Sequence, residues 1–529
     1  MKIHIVSLLA LMNFFLYGCN NGHSTEIVQD TTITEVNSFN NLFLDSARLD
    51  SFVNQHPEYS NYKKQYKDFY LQRNFEYAWF DSSGLGEQAN SFINLLNNTI
   101  GNLRDSSFYN HQLYLLYHNF LDKKMDEHTK DEIFDIEMYL TGQFFEYATK
   151  VYKGTDSSIT DLGWFIPRKK IDVTAILDSV IQTKRNADEF AHLNPQYHAL
   201  SKFLPVYYTL TKQQWDSIPV PKTLLHIKDS AAEIGLIKNR LQLLGDLSGN
   251  DSGNIFDSSL MEAIKQFQKR TGLGTDGTIG AQVMAQLNIS PAERIKQIFI
   301  NLERMRWIPG DDNQKRIFVN IPDYRLYVFD SGKMDMKMNV IVGTAANNTV
   351  IFSGNLKYVV FSPYWNVPAS IVKKEILPGI QKNPNYLANH NMEQTGKAGG
   401  LPVIRQKPGG SNSLGRVKFL FPNTYDIYLH DTPNRNLFTA SSRSFSHGCI
   451  RVGEPVQLAN YLLQDDSYWT PPRIDSAMHL EKETWVTLKK TVPVMIGYFT
   501  AFVDENGLLN FRKDIYGHDK KLADKLFMK

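Results

Sequence analysis

At about Arg316 the spacing of apolar residues changes from the period of a helix to the period of a strand, and this switch divides the chain. Upstream, Phe92, Leu95, Leu96 and Ile100 share one face, as do Ile133, Ile136, Leu140 and Phe144, because residues three and four apart lie together on an α-helix. Downstream, Ile317, Val319 and Ile321 alternate with Phe318 and Asn320, and Met334, Met336, Met338 and Val340 alternate with Asp335, Lys337 and Asn339. That alternation predicts half-buried strands. A chain of 529 residues exceeds the roughly 100–200 residues of one domain, so a multidomain α+β protein is expected.

The helical part, residues 45–225, reads as a scaffold domain. It is rich in Tyr and Phe and shows no compact acid/base cluster, so its aromatics are expected to pack a core. A second unit covers residues 232–288. Ile234, Ile237, Leu241 and Leu244 fit one helix, and Leu260, Ala263, Ile264 and Phe267 fit another. The run Thr271-Gly272-Leu273-Gly274-Thr275-Asp276-Gly277 supplies turn chemistry. A small three-helix module is expected. The β-rich domain covers residues 300–500, with a C-terminal extension over 501–529. Between 365 and 415 its strands are interrupted by Pro368, Pro378, Pro384 and Pro402 and the pairs Gly399-Gly400 and Gly409-Gly410. Such a stretch cannot be central sheet, and an insertion of this length is commonly a lid or a substrate-binding loop.

At the N-terminus Lys2 precedes a mostly apolar run from Ile5 to Tyr17 that ends in Leu16-Tyr17-Gly18-Cys19. The run is short of the about 20 residues that span a bilayer and has the flanks of a secretory signal. Its Leu-x-Gly-Cys ending resembles a bacterial lipobox, which implies cleavage over residues 1–19 and lipidation at Cys19. Tyr17 is bulkier than the usual residue there, and an ordinary signal peptide or a hydrophobic anchor is the alternative. Residues 20–44 are polar and read as a flexible tether. Every version exports the body, and the expected place is the periplasm of a Gram-negative envelope, held to a membrane by the lipid. The net charge of +2 offers no broad attraction to nucleic acid.

The chain has two cysteines, Cys19 and Cys449. With Cys19 lipidated no intramolecular disulfide can form, and a lone exported thiol is either buried and inert or chemically used. Asp426-Ile427-Tyr428-Leu429-His430-Asp431-Thr432 reads as a strand ending in a turn, and 19 positions beyond His430 stands Cys449, within Ser446-His447-Gly448-Cys449-Ile450-Arg451-Val452. A thiol attacks an acyl carbon as thiolate, and from a free pKa near 8.5 it needs a neighbouring imidazole or similar help. His430 and His447 are both candidates. Gly448 removes bulk beside the thiol, so the N–H groups of Gly448 and Cys449 are expected to approach a developing oxyanion. A zinc site would want four ligands, and no spacing here supplies the third and fourth.

These residues resemble the YkuD-type L,D-transpeptidase catalytic domain: a His, a spacer, then Ser/Thr-His-Gly-Cys, a hydrophobic residue and Asn or Arg. The resemblance implies that Cys449 is the nucleophile and His430 its acid/base partner, oriented by the peptide carbonyl of Asp431, with His447 in support. Ser446 is expected to fix the loop or meet substrate, and Arg451 to order the site or receive a substrate carboxylate. Phe361-Ser362-Pro363-Tyr364-Trp365-Asn366-Val367-Pro368 and Ile376-Leu377-Pro378 look like the start of the capping insertion in the large multidomain branch of that family. Trp365 and Tyr428 are then candidate substrate contacts, Trp365 with core packing as the alternative and Tyr428 because two residues along a strand face the same side.

Ala263-Ile264-Lys265-Gln266-Phe267-Gln268, Thr271-Gly272-Leu273 and Asp276-Gly277 resemble a small peptidoglycan-binding module. Together the resemblances imply peptidoglycan stem peptides as donor and acceptor, with no metal or organic cofactor. The implied reaction forms 3→3 cross-links and releases D-Ala. An L,D-carboxypeptidase or cross-link hydrolase using the same thioester, and a wall-tethering scaffold protein, are the competing readings. Oligomeric state is not addressed by the sequence.

Overall fold

The computed structural model describes residues 42–527 apart from 82, 155–158, 188–192, 250–251, 309 and 311–312. Cys19, the signal segment and nearly all of the tether lie outside the described residues. Two compact units are present, one made of residues up to Ala89 with His111–Phe145, the other of Asn90–Asn110 with Glu146–Lys529.

The first unit packs Ser46–Gln55, Lys63–Gln72, His111–Leu121 and most of Lys130–Ala148 around an aromatic core in which Tyr59, Tyr66, Phe69 and Tyr70 are wholly buried. The predicted face of Ile133, Ile136, Leu140 and Phe144 is buried. On that helix sits a group the sequence did not reveal. Glu137 is fully buried and accepts from the backbone N–H of Ala78 at 2.6 Å and of Trp79 at 3.0 Å, and from the Tyr70 hydroxyl at 2.8 Å. Burial pushes its carboxyl up to about 7. The carboxylate satisfies two N–H groups that no regular ladder reaches, and this makes it structurally necessary.

In the second unit the expected three helices are Ala232–Leu244, Ser258–Arg270 and Ala281–Leu287. Ile234, Leu241, Leu260, Ile264, Phe267 and Met284 fill their shared core. The conspicuous Gln268 and Asp276 hold the module together: Gln268 is buried, its amide donates to Asp276 Oδ1 at 2.6 Å, and its Oε1 accepts from Gly277 N at 2.9 Å.

A helix the sequence reading left unassigned, Pro291–Trp307, leads into the β-rich domain. Ser290 caps it in a reciprocal box: Ser290 Oγ accepts from Glu293 N at 3.2 Å, and Glu293 Oε2 accepts from Ser290 N at 2.9 Å. Asn301 on this helix exchanges two bonds of 2.8 Å with Thr500, and Arg304 pairs with Asp519 at 2.6 Å. The C-terminal extension thus packs on the same helix as the domain it follows.

The sheet of the β-rich domain closes on itself. Its neighbours run Val417–Leu420, Leu429–His430, Ile450–Val452, Lys333–Gly343, Arg325–Asp330, Arg316–Asn320, Thr484–Gly497 and Ile351–Phe361, which pairs again with Val417–Leu420. Closure removes most of the free edge. The alternation read in the sequence supplies the buried face, since Ile317, Val319 and Leu326 are wholly buried.

The 365–415 stretch is a folded subdomain. Trp365–Asn366, Leu401–Gln406 and Met392–Ala398 form a three-stranded sheet, whose hairpin turns at Gly399 (φ 55°) and Gly400 (φ 78°), the paired positive φ that a two-residue loop of type I′ requires. Its own core contains Val367, Ile371, Val372, Ile376 and Ile404. Among the described residues no helix is long and apolar enough to cross a membrane.

Candidate active site

Two adjacent parallel strands build the site. Leu429 lies opposite Ile450 and His430 opposite Arg451, so Cys449, one residue before Ile450, is delivered beside the strand that ends in His430. The imidazole is buried, and its Nδ1 lies 2.5 Å from the peptide oxygen of Asp431. A carbonyl can only accept, so Nδ1 carries the proton and Nε2 keeps its lone pair. Burial, then the charges of Arg451 and Lys418, hold the imidazole down to about 3. The ring is neutral.

The half-buried Cys449 thiol donates to the peptide oxygen of Asp426 at 3.5 Å, and Asp426 reaches that position with a positive φ of 54°. Burial pushes the thiol up, the Asp426 charge adds to this, and bonding to Tyr428 together with the Arg451 charge works the other way. Tyr428 shares a hydrogen bond with the sulfur and stands edge-on to His430, ring centroids 5.6 Å apart. Burial and the neighbouring sulfur keep its hydroxyl protonated. Tyr428 thus touches both the Cys449 sulfur and the His430 ring.

Arg451 is half-buried, and its Nε is enclosed with no hydrogen-bond partner among the described residues. An enclosed guanidinium donor without an acceptor is costly and suits an anionic group arriving from outside.

Four expected site residues take different or narrower places. Gly448 adopts φ +119°, but its N–H donates to Ser446 Oγ at 3.2 Å and is not aimed at an oxyanion. Ser446 is buried and donates to the Cys449 peptide oxygen at 2.6 Å, which ties it to the loop. Trp365 packs against the core of the insertion, which makes it a structural residue of that subdomain. His447 points the other way from a buried support: 55% of its side chain is exposed, and Nε2 lies 3.2 Å from Glu375 Oε1 on the insertion.

The loop is braced by residues with no signal in local sequence. Thr349 Oγ1 donates to the Gly448 peptide oxygen at 2.8 Å and accepts from Gly343 N at 2.9 Å. From the C-terminal extension, Tyr516 donates to the Gly343 peptide oxygen at 2.6 Å and accepts from Thr349 N at 3.3 Å.

Residues 314–491, which contain this whole arrangement, match the family model of the L,D-transpeptidase catalytic domain. That stretch is similar to the L,D-transpeptidase catalytic domain. Residues 64–204 match a scaffold domain, and residues 230–287 match a model described as "Putative peptidoglycan binding domain". The chain also has a relative in Haemophilus influenzae named "Putative L,D-transpeptidase", 34% identical over 242 residues, 43% of this chain and 49% of that protein. The chain thus spans about half the length of the curated relative it matches. Among solved structures, an L,D-transpeptidase from Stackebrandtia nassauensis is 16% identical, covering 52% of this chain and 96% of that one at a TM-score of 0.22. An L,D-transpeptidase fragment from Xylanimonas cellulosilytica is 14% identical, covering 53% and 100% at a TM-score of 0.18.

Proposed function

We propose that this chain forms 3→3 cross-links in peptidoglycan, with Cys449 as nucleophile and a stem tetrapeptide as acyl donor. The observation that carries the proposal is the Nδ1–Asp431 contact of 2.5 Å, which reserves the other ring nitrogen of a neutral imidazole for proton transfer beside the lone thiol.

The thiol gives its proton to His430 Nε2 as sulfur bonds to the carbonyl carbon of the third stem residue. Negative charge gathers on the carbonyl oxygen. Ser446 holds the Gly448 N–H, which leaves the Cys449 N–H as the donor assigned to that oxygen. Collapse breaks the C–N bond, and D-Ala leaves as an amine with the proton returned by His430. The side-chain amine of an acceptor stem then attacks the thioester, giving its proton to His430 and the thiolate back to Cys449. Arg451 is the partner for a donor carboxylate, and Tyr428 steadies the sulfur through its hydroxyl. The folded insertion keeps water from the thioester, which favours transfer over hydrolysis.

Such a reaction places the protein outside the cytoplasm, where the module over residues 230–287 would hold the wall and a lipid on Cys19 would hold the membrane. The test is to incubate Cys449→Ala protein with purified tetrapeptide muropeptides and weigh the products. Unchanged 3→3 dimers would sink the assignment, and release of D-Ala without dimers, in the wild type with acceptor present, would make the protein a hydrolase or carboxypeptidase.

A further inference from the structure

His430 belongs to a cross-strand row that extends well beyond the reacting atoms. Trp485 lies opposite Val360, Val360 opposite Lys418, and Lys418 opposite His430. Residues directly opposite one another in a sheet project from the same face, so Trp485 and Lys418 share the face of the candidate base. The row ends in an aromatic pair: Trp485 is 52% exposed, and the half-buried Tyr358 meets it edge-on with ring centroids 5.7 Å apart. Lys418 Nζ stands 5.4 Å from the centre of the Trp485 ring.

We propose that Trp485 and Tyr358, with Lys418, form a platform for a sugar ring of the glycan strand that carries the donor stem. The proposal rests on the transpeptidase reading and adds a subsite to it. Three observations point to a sugar. Neighbouring strands are about 4.8 Å apart, which puts Trp485 about 14 Å from His430 along the row. An extended peptide advances about 3.5 Å per residue, so the three residues between the scissile carbonyl and the glycan cover about 10 Å, and the linking ether group supplies the rest. The apolar C–H face of a pyranose stacks on an exposed indole, and the ammonium beside the ring can donate to its acetamido and hydroxyl oxygens. Trp485 lies outside the residues that bond Cys449 or His430, so an exposed tryptophan here has no part in the chemistry described above.

The full-length protein would be assayed with two donors, a tetrapeptide carrying its disaccharide and the same tetrapeptide without sugars. Wild type is expected to show a KM about tenfold lower for the sugar-bearing donor. Trp485→Ala should erase that advantage by raising this KM, with kcat and the bare tetrapeptide little changed, and Trp485→Phe should restore most of it. Equal KM values for the two donors in wild type, or a loss in Trp485→Ala that falls on both donors alike, overturns the platform. Binding to Cys449→Ala protein, measured by calorimetry, separates this from the reaction itself. An affinity for the disaccharide-tetrapeptide that drops about tenfold when Trp485→Ala is added supports the platform whatever the turnover, and an unchanged affinity refutes it.

Discussion

Ser446 Oγ donates to the peptide oxygen of Cys449 at 2.6 Å, closing a turn of four residues with a side chain at its centre. Ser446 Oγ also accepts from the Gly448 N–H, so one buried hydroxyl sets both the direction of the thiol and the state of its neighbour's backbone. Ser446→Ala leaves a buried donor and acceptor unmet at a cost of about 1–2 kcal/mol. Single-turnover kinetics should show acylation of Cys449 slowed by about tenfold or more, with donor affinity nearly unchanged.

Gly448→Ala acts through the backbone. The nearest atom to an added Cβ is Asn348 O at 3.6 Å, which is ordinary contact, but the φ of +119° is one that L-residues rarely adopt. Holding alanine there costs about 1–3 kcal/mol, and the loop would relax by moving Cys449. The expected result is a loss of acylation larger than the loss of thermal stability, measured on the same preparation.

His430 links stability to pH. In the unfolded chain histidine titrates near 6.5, whereas in the fold burial and the charges of Arg451 and Lys418 hold it down to about 3. Between those values the unfolded state binds the extra proton, so stability rises with pH across the window and is lost as pH falls. Urea unfolding at pH 4.5 and pH 7 should show wild type losing on the order of 2 kcal/mol more than His430→Asn on acidification. An equal loss in both proteins would refute the assignment.

In the first unit, Glu137→Leu would strand the N–H groups of Ala78 and Trp79 and should cost about 2–4 kcal/mol. Glu137→Gln keeps one acceptor oxygen and should fall between the variant and wild type. Thermal unfolding followed by circular dichroism orders the three proteins.

What the sequence disclosed depends on range. Ile317, Val319 and Ile321 announced a strand because alternation is written into neighbouring residues, and Cys449 and His430 stood out because the strand and loop that hold them are short. Glu137 did not, since its partners Tyr70, Ala78 and Trp79 lie on other segments and only the fold shows that their donors converge. The double pairing of Val417–Leu420, which closes the sheet, has no local period, and neither has the Tyr516–Thr349 brace. Trp365 shows the opposite case: its position in a motif suggested substrate and its type suggested core, and it packs against the small core of the insertion.

The contact between Glu375 and His447 joins the insertion to the loop that carries Cys449. Both side chains are about half exposed, so the pair is worth at most about 1 kcal/mol and Glu375→Ala should leave the unfolding transition where it is. Its effect should appear after acylation. With the contact gone, the insertion spends more time away from the thioester and water gains access, so the ratio of hydrolysed to transferred product should rise several-fold while the rate of acylation holds. His447→Ala should raise the ratio as Glu375→Ala does, and the double variant should go no further. Product analysis of the two single variants and the double variant decides it: additive effects would mean that the insertion is held by its packing and not by this pair.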